Sequence, residues 1–221
     1  MFVVEGRKLI GEAVAGGWEV EAVYLGDGAP TELVVDGVDW RRLAPGVLER
    51  VASTETPQPV LAAVRMRTVT LDDIEQMALV VVADRLADPG NLGTVLRSAE
   101  AAGAGAVVTT RGTVDVFNPK VVRASAGAVF HVPVASAALE QLGTCGRRLL
   151  GSSSHRGTPH TDIAWTSPLA IVVGNEAHGL DDDAPVTEWV RIEHLGRSES
   201  LNVAMAATLL CFEAGRQLSG R

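Results

Sequence analysis

Residues 79–109 read LVVVADRLADPGNLGTVLRSAEAAGAGAVVT. Five apolar residues open the stretch with no polar alternation, the pattern of a strand buried on both faces. Asp88-Pro89-Gly90-Asn91 then turns the chain, and Asn91 is a residue type that caps a helix start. Leu92, Val95, Leu96 and Ala99 share one face of a helix over 92–102. Gly103 and Gly105 stop it, and residues 106–109 start a second apolar strand. Strand, helix and strand in this order make one parallel crossover, so the fold class is α/β.

The same alternation runs downstream. Helices are expected over 119–128 and 137–142, and strands over 131–134, 148–152, 169–173 and 189–192. Leu201, Met205, Thr208, Leu209 and Phe212 follow helical spacing in a long last element. The expectation is a parallel sheet covered on both faces. Residues 1–66 read as a smaller mixed unit, with helices over 5–15 and 45–52 and strands over 20–25 and 60–64. A polar stretch over 65–75 has no apolar period, so the expected organisation is a first domain over 1–66, a linker over 67–76 and a second domain over 77–221.

Composition bounds the classes. The chain has 221 residues, 47% apolar and 21% charged, with mean hydropathy +0.19. That is enough to bury a core and excludes disorder. The longest apolar run, residues 77–83, is seven long, far short of the roughly 20 a membrane-spanning helix needs. Glu5 stands where an export leader would be basic and then apolar, so a soluble cytoplasmic protein is expected. Cys145 and Cys211 are far apart without a CxxC, which argues against a disulfide framework and a cysteine zinc site. Net charge is −8, which argues against indiscriminate nucleic-acid binding. Between residues 111 and 160, however, six basic residues face two acidic ones, so that stretch is locally +4.

Common nucleotide and hydrolase signatures are absent. Neither lysine, Lys8 nor Lys120, sits in a GKS or GKT. The one GxG, at 103–105, runs from helix to strand, the wrong order for a dinucleotide fingerprint. There is no GxSxG, and the five histidines show no HExxH spacing, so no metal is expected.

In parallel sheets ligands bind beyond the carboxyl ends of the strands. Three segments there stand out. NLGTVLR follows the first strand, with Arg97 off the apolar face. GNEAHGL follows the strand over 169–173. Its Gly174 permits close backbone approach, and Asp181, Asp182 and Asp183 beyond it read as the acidic first turn of a helix. The third, IEHLGRSESLNV, leads into the last helix, where Ser200 and Asn202 can cap. Each alone is also explained by ordinary capping and a solvated surface.

Together, NLGTVLR, VVGNEAHGL and SLNVAMAA resemble, in order and spacing, the three motifs of the SpoU (TrmH-type) RNA ribose 2′-O-methyltransferases of the SPOUT superfamily. The stretch DVFNPKVVRASAGA resembles the family between its first two motifs, and FVVEGRKLIGEAV with STETPQPVLAAV resembles the small L30e-like RNA-binding domain of its ribosomal-RNA members. The resemblance implies a SPOUT-type parallel sheet with a C-terminal trefoil knot. It also implies a homodimer whose sites borrow residues from both subunits, and methyl transfer from S-adenosylmethionine to a ribose 2′-OH, with no metal and no membrane. By position, Gly174, Ile192 and Leu201 would hold the cofactor. Arg97 would serve as base or, since a guanidinium is not deprotonated near neutrality, would grip phosphate and stabilise the developing alkoxide. Asn91, Glu176, Ser200 and Asn202 would be the polar groups around it. Lys120, Arg123 and Ser125 are the candidates for RNA contact.

The chain departs from the family in two places. It has Ile192-Glu193-His194-Leu195-Gly196 for IPMxG, and Ala177 within GNEGxG. The substrate implied is 23S ribosomal RNA, as a housekeeping or antibiotic-resistance modification. A tRNA substrate, a catalytically silent RNA-binding or assembly factor on the same fold, and an unrelated doubly wound α/β protein are the alternatives.

Overall fold

The computed structural model describes residues 1–33, 37–52, 56–144 and 146–220; Cys145 and residues 53–55 of the first-domain motif lie outside them. The chain begins with β1 (Phe2–Glu5), α1 (Arg7–Ala15), β2 (Val20–Leu25), β3 (Trp40–Arg42), α2 (Val47–Val51) and β4 (Val60–Val64). The four strands form one sheet in the order β1-β4-β2-β3. Residues 2–5 are thus a strand rather than the approach to a helix. Gly6, at φ 93°, turns the chain from β1 into α1, a backbone angle that L side chains avoid. β3 has no apolar alternation to reveal it, because all of Trp40, Arg41 and Arg42 are exposed at the sheet edge.

The polar stretch is not featureless. Thr70 and Asp73 form a capping box at the start of α3 (Leu71–Ile74). Then follow β5 (Leu79–Ala83), α4 (Pro89–Ala101), β6 (Ala106–Thr109), α5 (Pro119–Ala124), β7 (Val134–Ser136), α6 (Leu139–Thr144), β8 (Arg148–Ser153), β9 (Thr158–Pro159), β10 (Leu169–Val173), β11 (Glu188–Arg191) and α7 (Val203–Leu218). The second sheet has seven strands in the order β7-β6-β5-β10-β8-β11-β9. Every pairing in it is parallel, as the unbroken apolar runs require. All five residues of both β5 and β10 are buried.

Register aligns the carboxyl ends of the central strands. Ala83 ends β5 opposite Val173, the end of β10. Val172 lies opposite Gly151 of β8, and Ser153, the end of β8, lies opposite Arg191, the end of β11. Four neighbouring strands therefore release their loops at one edge.

Two local expectations change. Asp88, not Asn91, caps α4: its carboxylate accepts from Asn91 N at 2.8 Å, and Pro89 takes the first helical position. Asp181, Asp182 and Asp183 begin no helix; they lie in a turn.

The two sheets share one hydrophobic core. Phe2 lies tilted against Phe117 with ring centroids 4.8 Å apart, and Trp18 meets Phe130 edge-on at 5.5 Å. Trp18 Nε1 also donates to Phe130 O at 2.8 Å. Aromatic pairs of this geometry contribute about 0.5–1.5 kcal/mol beyond burial. On α7 the residues facing this core are Ala204, Ala207, Leu210, Cys211 and Ala214, while Met205, Leu209 and Phe212 are exposed. The larger apolar residues chosen by spacing thus form the outer face.

Candidate active site

The loop after β10 begins at Gly174, where no side chain would fit. An added Cβ would lie 2.3 Å from Gly179 C and 2.4 Å from Leu180 N, both backbone atoms. The chain therefore folds back on itself over 174–180, closed by Gly179 N donating to Asn175 O at 2.8 Å. Asn175 ties this loop sideways, its Nδ2 donating to Arg85 O at 2.9 Å.

The turn holds Glu176 out toward the loop after β5. Its carboxylate accepts from Ala87 N at 3.2 Å, Asp88 N at 3.0 Å and Asn91 Nδ2 at 3.1 Å. Asn91 Oδ1 in turn accepts from Asn202 Nδ2 at 3.0 Å. Asn202 Oδ1 caps α7, accepting from Ala204 N at 2.9 Å and Met205 N at 3.3 Å. One hydrogen-bonded chain, Glu176–Asn91–Asn202, thus joins all three motif segments. Partial burial would raise the Glu176 carboxyl; the hydrogen bonds from Asn91, from its own amide and from the Asp88 and Ala87 amides outweigh that and hold it below its ordinary value.

Beside this chain lies a cleft of about 290 Å³. Gly174, Ile192, Leu201 and Ser200 line it, as does Glu176, so the three cofactor candidates meet in one cavity although they are far apart in sequence. Its floor is apolar, with Leu180, Val190 and Leu210. Two of the residues at the departures from the family pattern are here too: Ala177 and His194 line the cleft.

Arg97 is elsewhere. It lies exposed on α4, outside the cleft, with no hydrogen bond or ion pair to any described residue. The glycine of its motif has a packing reason: a Cβ at Gly93 would come within 2.4 Å of Ala124 Cβ and 2.8 Å of Ser125 N, so α4 and α5 approach closely there. Lys120 is exposed on α5 and Arg123 is half-buried. Ser125 is buried, its hydroxyl donating to Val122 O at 2.7 Å. The basic stretch thins in the same way. Arg147 is buried, donating to the carbonyls of Met77, Ile74, Glu75 and Leu169, while Arg148 pairs with Glu188.

Sequence reasoning missed the cleft's outer wall, formed by Ser152, Ser153, Ser154, His155, Arg156, Asp182 and Trp189. It also missed Arg85, held at φ 54° with its guanidinium on Asp84 and Asp181, each at 2.9 Å. For Arg85 after β5, and for Ser154, His155 and Arg156 after β8, the position just past a strand end was the available signal; Trp189 and Asp182 carried none. Among the described residues no group of three or more His, Cys, Asp or Glu could hold a metal ion, and no helix is long and apolar enough to cross a membrane.

A parallel α/β sheet with a polar network and an apolar-floored cleft at its strand ends defines a nucleotide-type ligand-binding protein of the open-sheet class. Residues 78–212 match the SpoU rRNA Methylase family and residues 1–62 the MRM3-like substrate binding domain, so the chain belongs to the SpoU methylase family. It is 34% identical to the 23S rRNA (guanosine(2553)-2'-O)-methyltransferase RlmP of Bacillus subtilis, over 96% of this chain and 87% of that one. It is 33% identical to the 23S rRNA (uridine(2479)-2'-O)-methyltransferase of Streptomyces viridochromogenes, covering 100% of this chain and 84% of that one. The SpoU methyltransferase AviRb from that organism, in complex with the cofactor AdoMet, superposes with TM-score 0.87 at 31% identity, covering 100% of this chain and 91% of that one.

Proposed function

We propose that this protein transfers a methyl group from S-adenosylmethionine to a ribose 2′-OH of 23S ribosomal RNA, and does so as a homodimer in the cytoplasm. The observation that carries the reading is the Glu176–Asn91–Asn202 chain bordering the cleft lined by Gly174, Ile192 and Leu201. The named relatives, both 23S rRNA 2'-O-methyltransferases, support the choice of substrate.

The cleft suits the cofactor. The tight turn at Gly174 and the apolar floor accept an adenosine, and Glu176 places a fixed negative charge at the rim for a sulfonium. When bound, S-adenosylmethionine supplies an electrophilic methyl group. Glu176 holds Asn91, Asn91 holds Asn202, and Ser200 stands beside them, so the polar groups facing the 2′-OH are pre-oriented. Arg97 grips a phosphate next to the target ribose and stabilises negative charge on the 2′-oxygen as its proton passes to solvent water. Lys120 and Arg123 contact the RNA backbone.

Arg97, outside the cleft of its own chain, serves the cleft of a second copy. α4 and α7 pack together through Ser98 and Thr208, whose hydroxyls are 2.6 Å apart, and α7 exposes Met205, Leu209 and Phe212. An apolar stripe of this kind supports a partner surface, and a dimer across it would carry Arg97 toward the partner's cleft. Residues 1–66 form the RNA-binding domain, residues 67–76 the linker, and the segment from Gly174 through α7 forms the trefoil knot.

The test is transfer of tritiated methyl from S-adenosylmethionine into ribosomal and transfer RNA, followed by mapping of the labelled ribose. Label in 23S RNA is expected. Label confined to tRNA overturns the substrate, and cofactor binding without incorporation into any RNA favours the silent binding factor.

A further inference from the structure

The outer wall of the cleft carries charges that the transfer chemistry leaves unused. Arg156, in the loop after β8, stands with its guanidinium carbon 3.6 Å from the centre of the Trp189 ring. Its Nη1 is 3.1 Å from Asp182 Oδ1 on the turn beyond the Gly174 loop. All three residues line the cleft. Arg156 is the one arginine or lysine among the described lining residues, and Glu176 and Asp182 are their two carboxylates. Glu176 is engaged by Asn91 and two backbone amides of the β5 loop. Asp182 has 93% of its side chain exposed, so an exposed pair with Arg156 is worth little in itself and is readily exchanged for other partners.

From this we infer that Arg156 and Asp182 form the seat for the amino-acid end of S-adenosylmethionine, Arg156 taking the α-carboxylate and Asp182 the α-ammonium. The inference rests on the methyltransferase reading above. The charges match one to one. The ligand brings a carboxylate, an ammonium and a sulfonium; the cleft offers a guanidinium and two carboxylates. The lining is mixed to suit the ligand as well, because the apolar floor with Leu180, Val190 and Leu210 suits an adenosine, while the polar Ser153, His155 and Arg156 suit a zwitterion. Contact with the Trp189 face restrains the guanidinium, a group whose planar fork suits a bidentate carboxylate. Gly157, at φ 100°, packs directly on the Trp189 backbone, where a Cβ would meet Trp189 O at 2.2 Å, so the loop is pinned where it presents Arg156.

Calorimetric binding of S-adenosylmethionine and of 5′-methylthioadenosine separates this role from others. The second ligand has the adenosine and the sulfur but no amino-acid end. Arg156→Gln is expected to weaken S-adenosylmethionine by about 10-fold or more and to leave 5′-methylthioadenosine within about twofold. Asp182→Asn, at an exposed position where folding is not at stake, is expected to narrow the preference for S-adenosylmethionine in the same direction. Unchanged binding of both ligands in both variants overturns the inference. Equal weakening of both ligands also overturns it, since Arg156 would then only brace the wall. A wild-type protein that binds 5′-methylthioadenosine and S-adenosylmethionine equally well overturns the inference alone. One that binds neither overturns the methyltransferase reading beneath it.

Discussion

Glu176 shows how much one side chain can organise. It receives two amides of the loop after β5 and the Asn91 side chain, and through Asn91 it reaches Asn202 at the start of α7. Because its carboxyl is held below its ordinary value, the stability that its charged form contributes is present above the unfolded carboxyl range and is lost as pH falls through the lower folded value. Titration of Glu176 should therefore leave methyl transfer unaffected between about pH 6 and 8. Glu176→Gln keeps the shape and removes the charge. It is expected to lower kcat/KM by about 10- to 100-fold, the range for a charged hydrogen-bonded group; a steady-state assay of tritium transfer measures it. In the sequence this residue was legible as a member of its motif, but its partners were not. Asn91 lies 85 positions away, and only the register of β5 beside β10 brings the two together.

Elements are where local rules were both followed and overruled. β5 and β10 were readable because a strand buried on both faces admits no polar residue. α7 was readable as a helix, yet of its larger apolar residues Met205, Leu209 and Phe212 are exposed and only Leu210 enters the core. The rest of the inner face carries small residues, and α4 comes close: a Cβ at Gly215 would meet Ala102 O at 2.5 Å. Spacing identifies a stripe but not which stripe the tertiary fold covers. The Gly174 turn admits no substituent against the 179–180 backbone. Gly174→Ala is expected to displace that turn and cut S-adenosylmethionine affinity by about 10-fold or more, at a stability cost of about 1–3 kcal/mol; calorimetry together with thermal melting reads both effects. Arg147, counted by sequence within the locally basic stretch, is a clamp whose guanidinium joins the end of α3 to the second sheet. Arg147→Met leaves those carbonyls unsatisfied and is expected to cost about 3 kcal/mol or more, a melting-temperature drop of roughly 6–12 °C for a chain of this size.

At the scale of the whole molecule the open question is assembly. Met205 is 62% exposed, Leu209 46% and Phe212 50%, and Arg97 lies outside the cleft of its own chain. If these surfaces meet in a dimer, Leu209→Asp combined with Met205→Asp yields a monomer in sedimentation velocity, with methyl transfer falling at least 100-fold. Mixing tests the sharing of sites directly. Arg97→Ala and Glu176→Gln subunits, each impaired alone, are expected to regain activity on exchange, because a hybrid dimer assembles one intact site; no recovery after confirmed exchange refutes shared sites.

By itself the sequence determined the parallel α/β class, the small unit in front of it and the three segments that the Glu176–Asn91–Asn202 chain joins. It could do so because apolar runs, turn residues and helix caps act over a few neighbouring positions. Only the tertiary structure decided that Asp88 rather than Asn91 caps α4, that Ser125 and Arg147 are buried, and that Arg156, Trp189 and Asp182 form one wall of the cleft. Those outcomes depend on strand register and helix packing, which bring together residues tens of positions apart, and no local pattern in the chain encodes such a distance.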